Sequence, residues 1–312
     1  LISVAWILPR RNRNVLVVPG ATSGYRERPP EPQEVGPAPV PLGAPFALDV
    51  AQDLLVYGDG GRVFLVRGML RGRMETRSLR VSWVSSVTAI LIHGGVAYVG
   101  GRAPFGVLLG LVTLGEKPGW KAIEVPQEAV ASAGKGIDGF VLHDGRLIAV
   151  DDVVFPWYFL LYDVSSPEAP RPAGVRMFHG HASSVASGHG FLALRQTLAS
   201  HAGLRRFTRL YDLDTLDERA SFEGHVGALE WDDARGIPGV AIAEGRLLVA
   251  QGEKGLQGID LDALARGASP QESAVDLPVA EGPVVGVIAA DAGRAFAVVR
   301  GRSGLDSVLV CY

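Results

Sequence analysis

One phrase recurs six times along these 312 residues: a turn built on glycine or a polar residue, followed at once by an apolar run of strand length. It stands as Asp53-Leu-Leu-Val-Tyr57, Gly95-Val-Ala-Tyr-Val99, Gly145-Arg-Leu-Ile-Ala-Val150, Gly190-Phe-Leu-Ala-Leu194, Gly245-Arg-Leu-Leu-Val-Ala250 and Gly293-Arg-Ala-Phe-Ala-Val298. Successive anchors lie 42, 50, 45, 55 and 48 residues apart. A period of about 40 to 50 residues is that of a four-stranded propeller blade, a unit too small to bury both of its faces alone. The repeat therefore predicts an all-β chain, a β-propeller, rather than the two domains that length alone would suggest.

The flanks of the phrase repeat too. An apolar stretch precedes most anchors (Phe46 to Val50, Val87 to Ile92, Phe140 to Leu142, Val240 to Ala243, Val284 to Ala289), and a third follows each (Val63 to Val66, Val107 to Leu114, Trp157 to Tyr162, Phe207 to Tyr211, Leu256 to Ile259, Val308 to Val310). These read as strands A, B and C of each blade. A more polar strand D follows in most units, as in Met74 to Val81, Trp120 to Val125, Gly174 to Phe178 and Arg219 to Phe222. An outermost strand has one side in water, which accounts for its polarity. The last unit stops after its strand C, and two N-terminal strands, Ile2 to Leu8 and Asn14 to Val18, are expected to complete it. That gives six blades closed by N-terminal strands, or seven if the hairpin makes a small blade of its own. Between hairpin and first blade, Arg28 to Pro45 holds seven prolines in 18 residues, a polyproline-like strap. Residues 1–45 are thus read as closing strands and strap, and 46–312 as the propeller. One helical turn is expected at Asp260 to Ala265.

The stretch Phe159-Leu-Leu-Tyr-Asp-Val-Ser-Ser-Pro-Glu-Ala-Pro-Arg-Pro-Ala-Gly174 resembles the LVIVD-type repeat of bacterial β-propeller proteins, in which an apolar strand runs into Asp-Val-Ser-x-Pro-x-x-Pro. Asp163 and Ser165 suit an Asx or Ser turn, while Pro167 and Pro170 bar the turn from joining a ladder. Leu210-Tyr-Asp-Leu-Asp-Thr-Leu216 and Gly258-Ile-Asp-Leu-Asp-Ala-Leu264 are weaker echoes. The resemblance implies the fold and a home outside the cytoplasm; it implies no chemistry.

Hydrophobic residues make up 47% and charged ones 20%, enough to bury a large core and to exclude wholesale disorder. No apolar run reaches the ~18 residues of a spanning helix; the longest candidate, Phe105 to Leu114, holds Gly106 and Gly110. The single cysteine, Cys311, precludes an intrachain disulfide and leaves the compartment open. The formal charge of −3 is too near neutral for a nucleic-acid partner. It is also a cancellation: residues 1–100 carry +4, 101–200 carry −1 and 201–312 carry −6. Arg62, Arg67, Arg71, Arg73, Arg77 and Arg80 face only Glu75 in the outer part of the first blade. They are read as guards of an edge strand, with a phosphate or acidic partner as the alternative.

No Gly-x-Ser-x-Gly elbow, His-Glu-x-x-His or dinucleotide fingerprint is present. Candidate site residues come instead from the face that the D-to-A and B-to-C connections share in a propeller. His179 and His181 fall in one D-to-A connection and His201 in the next B-to-C connection. His-x-His on extended backbone turns both imidazoles to one side, a geometry that suits a transition metal. His93, His143 and His189 precede anchor glycines and are assigned to A-to-B turns, on the other face. Acids collect on the first face as well: Asp151 with Asp152, and Glu230, Asp232 and Asp233 around Trp231, with Trp157 nearby. They could hold Ca²⁺ through oxygen ligands or serve as solvated turn formers, the preferred reading. Gly224 to Pro238 and Gln196 to Arg206 are read as loops longer than the usual two to six residues. The expectation is a non-enzymatic propeller binding a protein or ligand through this long-loop face. The alternative is a metal-dependent enzyme or metal-binding propeller at the channel mouth.

Overall fold

The computed structural model describes residues 6–10, 13–17, 40–41, 44–49, 51–69, 71–102, 109–126, 129, 136–151, 156–200, 203–224, 239–277, 284–290, 294–300 and 307–311, as backbone alone before 44 and after 284. The chain divides into two compact units, Leu1–Phe178 and His179–Tyr312. The first holds β1 (Trp6–Arg10), β2 (Arg13–Val17) and β3 (Val40–Pro41) in one sheet. It continues with β4 (Phe46–Asp49), β5 (Leu54–Asp59), β6 (Arg62–Arg67) and β7 (Glu75–Arg80) in a second. A third contains β8 (Ser86–His93), β9 (Val96–Arg102), β10 (Leu109–Thr113) and β11 (Trp120–Ala122), and a fourth β12 (Ile137–His143), β13 (Arg146–Asp151), β14 (Trp157–Asp163) and β15 (Arg171–Phe178).

The second unit opens with β16 (His181–Gly188), β17 (Phe191–Ser200), β18 (Gly203–Asp212) and β19 (Glu218–Gly224). Next come β20 (Val240–Ala243), β21 (Arg246–Ala250), β22 (Leu256–Asp260) and β23 (Ala274–Leu277), with α1 (Leu261–Ala265) and the four-residue α2 (Pro270–Ser273) between the last two. The seventh sheet is β24 (Val284–Ala290), β25 (Arg294–Arg300) and β26 (Ser307–Cys311). Five of the seven sheets therefore have four antiparallel strands in chain order, the expected A-B-C-D meander. The N-terminal strands pair with each other and with β3 in a sheet of their own. Among the described residues they do not pair with the last sheet, which the first of the two expected arrangements requires; closing a local hairpin costs far less chain entropy than bringing distant strands together.

The repeated phrase acquires a physical cause at the A-to-B turns. In the first unit Gly94 and Gly95 have φ of 56° and 80°, and Asp144 and Gly145 have 46° and 71°. In the second, His189 and Gly190 have 54° and 78°, and Glu244 and Gly245 have 45° and 70°. Two consecutive left-handed residues make the type I′ turn, whose twist matches that of paired strands. The glycine of each turn then accepts a backbone bond from the residue leaving strand C. Leu114 N–H donates to Gly95 C=O at 3.1 Å, Val164 to Gly145 at 2.8 Å, Leu213 to Gly190 at 3.0 Å and Leu261 to Gly245 at 2.8 Å. Gly68 N–H makes the counterpart to Asp53 C=O at 3.1 Å. The anchors recur because each ties down the exit of its own third strand.

Strand B reads as a continuous apolar run because both of its faces are covered. In β9, Ala97 and Val99 pack with Leu54, Val56, Val63 and Leu65 of the preceding sheet, while Val96 and Tyr98 pack with Ile137, Leu147, Ala149 and Leu160 of the following one. The second unit repeats this: Phe191, Ala193 and Leu210 meet Val240, Leu247 and Val249, and on the far side Leu248, Ala250 and Leu256 reach Val284. Within each unit these sheets thus stack face to face, successive residues of a B strand feeding alternate neighbours.

The proline-bearing turn after β14 closes one such interface. Asp163 Oδ1 accepts the Ser165 N–H at 2.9 Å, the expected Asx turn. The Pro167 carbonyl accepts from the buried Tyr98 hydroxyl of the preceding sheet at 2.9 Å. A Cβ on Gly94 would stand 2.3 Å from Pro167 Cγ, so the turn seats directly on the A-to-B turn beside it. Burial pushes the Tyr98 hydroxyl up to about 12, keeping it a neutral donor. The single helical turn also forms where expected, with Asp260 Oδ1 capping the Ala263 N–H at 2.9 Å.

Two details differ from the sequence reading. Gln196 to Arg206 is ladder rather than loop: β17 and β18 pair from Phe191↔Asp212 to Ser200↔Gly203. Strand A of that sheet, His181–Gly188, carries too few apolar residues to stand out in the repeat. The arginines of the first blade do more than guard an edge. Arg67 and Arg77 donate to the carbonyls of Leu114 and Glu116 in the next sheet, whereas Arg62 and Arg80 sit opposite each other and exposed.

Candidate functional site

Up-and-down sheets put the A-to-B and C-to-D turns at one end and the B-to-C and D-to-A connections at the other. Among the described residues the longest strands are those of the β17–β18 hairpin, which reaches the connection end. Each of its strands has 10 residues, against five in β21 and in β22 of the following sheet. Antiparallel pairing continues to its tip, leaving residues 201 and 202 between the paired ends. A paired hairpin of this length projects as a defined element, unlike a free loop.

Polar side chains fasten the hairpin where it leaves the apolar core. Arg195, Gln196, Arg206 and Thr208 are 1%, 0%, 3% and 1% exposed. Arg195 and Thr208 are directly opposed, and the guanidinium donates to Thr208 Oγ1 at 3.2 Å and to the Ala250 carbonyl of the next sheet at 3.0 Å. On the other face Gln196 Nε2 donates to the carbonyls of His179 at 2.8 Å and Gly180 at 3.2 Å, and Arg209 to that of His179 at 2.7 Å. The hairpin therefore clamps the D-to-A connection that carries His179. Buried polar groups need such partners, since each one left unmet costs about 1–3 kcal/mol. Burial pushes the Tyr211 hydroxyl on the same face up to about 12, against the lowering effect of Arg209.

Arg195 also marks both ends of the connection after β19. A Cβ on Gly224 would meet its Nη1 at 3.0 Å and one on Gly239 its Cγ at 3.7 Å. The Gly239 N–H donates to Ser184 Oγ at 2.8 Å and its carbonyl accepts from Ala250 at 2.9 Å. Residues 225–238 between these anchors lie outside the described residues, and with them Glu230, Trp231, Asp232 and Asp233. His201 and Asp152 lie outside them as well.

The other expected site residues are placed as follows. His179 and His181 are exposed at the entrance to β16, but Gly180 between them has φ +99°. The extended backbone from which a shared side was inferred is thus interrupted there. Among the described residues no group of three close potential metal ligands contains either histidine. In the first unit Asp151 ends β13 and is 0% exposed, opposite Tyr158 in the ladder. Trp157 begins β14 and is half-buried. Asp138 lies 3.7 Å from Arg102 across the neighbouring connection.

His189 is a turn residue, as expected, at the opposite end. Its Nε2 lies 2.6 Å from Oδ1 of Asp262 in α1, a contact between successive sheets, and that hydrogen bond holds the Asp262 carboxyl below its usual range. The buried set Arg195, Gln196, Arg206 and Thr208 escaped the sequence reading. Its signal was the mirrored pattern Leu-Arg-Gln-Thr-Leu and Leu-Arg-Arg-Phe-Thr-Arg-Leu on either side of His201-Ala202-Gly203, strand-like alternation about a turn.

No protein-family model matches the chain, and no curated protein does. Solved structures do. The chain is similar to hydrazine synthase of Kuenenia stuttgartiensis at 14% identity, covering 86% of this chain and 82% of that one with a TM-score of 0.59. It is similar to the dihydro-heme d1 dehydrogenase NirN in complex with DHE at 15% identity, covering 82% of this chain and half (50%) of that one, with a TM-score of 0.54. BamB from Moraxella catarrhalis matches at 12% identity over 98% of this chain and 95% of that one, TM-score 0.45. The first two likenesses, with the four-stranded meanders, establish the β-propeller fold; at such identities they establish the fold alone. Among the described residues no helix is long and apolar enough to cross a membrane.

Proposed function

We propose that this chain is a non-enzymatic β-propeller that binds a protein or smaller ligand through the connection end of its sheets. The β17–β18 hairpin carries the reading: a projecting ladder held by buried Arg195, Gln196 and Thr208 rather than by apolar packing. A sheet needs no such extension to be stable, and a rigid projection from a scaffold is where binding residues are placed. With the hairpin the reading takes in His179, His181 and His201, Glu230, Trp231, Asp232 and Asp233 from the segment after β19, and, from the first unit, Asp151, Asp152 and Trp157. The acidic balance of residues 201–312, −6, favours a basic partner surface. The interrupted His179-Gly180-His181 backbone lends no support to the metal reading.

The test compares three forms: the intact chain, one with residues 199–204 replaced by Asn-Gly, and one with residues 225–238 shortened. Partners captured by the intact chain are identified and their affinities measured for all three. A loss of about tenfold or more on shortening either element, at unchanged circular dichroism, supports the reading. Equal affinities in all three forms would sink it.

A further inference from the structure

Among the described residues four apolar clusters join consecutive sheets, and the apolar face of the β4–β7 sheet turned away from β8–β11 does not belong to any of them. Sheet β4–β7 packs one face on the sheet that follows it, through Leu54, Val56, Val63 and Leu65. Its other face carries Phe46, Leu48, Leu55, Tyr57, Phe64 and Val66, aligned by the register Phe46↔Tyr57↔Phe64 and Leu48↔Leu55↔Val66; Leu55, Tyr57 and Val66 are buried in a small cluster with Ala44, Met69 and Met74, so the exposed part is the first strand. Tyr57 and Phe64 stack there at 4.7 Å. Yet Phe46 and Leu48 are 50% and 46% exposed, whereas Val87 and Ala89 on the first strand of the next sheet are 5%. Large apolar residues alternating on the first strand of a sheet are the pattern of a covered face.

We infer that this face is the docking surface for the three-stranded sheet β1–β3 of the same chain, which acts as the preceding blade. Connectivity argues for that occupant. β3 ends at Pro41 and β4 begins at Phe46, so four residues, 42–45, join them. The corresponding link from β7 to β8 has five, 81–85, and joins two sheets that stack. Four residues span at most about 14 Å, enough for the roughly 10 Å between packed sheets and too short to carry β3 far away. The end of the link is also fixed, since Gly58 N–H donates to the Pro45 carbonyl at 2.9 Å.

The sequence of the small sheet fits the role. Its register places Trp6 with Val17 and Leu8 with Val15 on one face, and Ile7 with Leu16 and Val40 on the other. Away from the turn, where Arg10, Arg13 and Asn14 stand, both faces carry apolar residues, and three short strands of that kind need cover to be stable. Phe46 and Leu48 then become interior residues.

Cysteine accessibility tests this in a Cys311→Ser background. A thiol at Leu48→Cys should react with a maleimide at least about tenfold more slowly than one at the exposed Gln52→Cys, and deletion of residues 1–43 should abolish the difference. Rapid labelling in the intact chain overturns the inference. So does protection that survives the deletion, which would mean another sheet or a second copy covers the face. If the deleted form loses its circular dichroism, disulfide trapping decides. Leu48→Cys combined in turn with Trp6→Cys, Ile7→Cys, Val15→Cys and Leu16→Cys should give an intramolecular bond with at least one partner. Intermolecular bonds alone, or none, refute it.

Discussion

The two ends of the sheets obey different rules. At the turn end, type I′ pairs such as Asp144-Gly145 and His189-Gly190 recur with one backbone bond to each glycine. At the connection end the described sheets of the second unit differ: one hairpin has 10-residue strands over a buried arginine, and its neighbour has five-residue strands over Leu247 and Val249. A stack of sheets must meet the same geometric demand at each step, so the end that closes the meander becomes uniform. The other end is free to vary, and variation on a fixed scaffold is what recognition needs. The contrast also separates two kinds of energy, since the turn end is held by backbone geometry and the connection end by desolvated polar groups.

The largest effect is expected at the irregular end. Arg195→Ala should cost about 3–5 kcal/mol, because it removes a buried cation that bridges two sheets and leaves Thr208 and the Ala250 carbonyl short of a donor. Urea unfolding would measure it, and a loss below about 1 kcal/mol would show that the hairpin stands without its polar fastening. Next comes Gly94→Ala, at about 2 kcal/mol or more, from a left-handed backbone plus a Cβ driven into Pro167. The same denaturation curve should show it, with partner binding unaffected; a change in binding would break the division between the ends.

A smaller change of opposite sign is expected at Glu244, whose φ of +45° suits glycine or asparagine better. Glu244→Gly should raise stability by about 0.5–1 kcal/mol, read as a higher urea midpoint at constant slope. Smallest is the acid dependence of the C-to-D turn. The Asp212 carboxyl is held down to about 2, chiefly by the Thr215 N–H and then by Arg219. Its folded value lies below the unfolded one, so its contribution is complete above about pH 4 and fades as pH falls towards 2. Asp212→Asn should therefore differ from the parent in thermal midpoint at pH 6 and converge with it near pH 2. An equal difference at both values would mean that the ionised carboxylate contributes nothing.

What could be read without coordinates follows the same line. Gly95, Gly145, Gly190 and Gly245 were visible as anchors because turn chemistry is local: two left-handed residues and an apolar run are written side by side. Asp163 and Ser165 gave away their Asx turn for that reason. The hairpin was misread as a loop because Arg195, Gln196, Arg206 and Thr208 look solvated in a linear chain, and only their partners show them to be interior. The two-sided burial of β9 was legible in its unbroken apolar run, but not which neighbour each residue would meet. His179 lies in a connection, but His181 already opens β16, and the shared side inferred for the pair depended on the backbone of Gly180, which the spacing does not encode.

The sequence by itself determined the repeating unit, the order of strands within it and the turns that close it, since those rest on contacts between residues near in the chain. Tertiary structure alone decided that Arg195 reaches the Ala250 carbonyl and that Tyr98 reaches Pro167. It decided too that Phe46 and Leu48 stay half-exposed while Tyr57 and Val66 on the same face are buried. Those outcomes depend on how one sheet is laid against the next, and the free energy of burying a side chain belongs to the pair of surfaces that meet rather than to either segment alone.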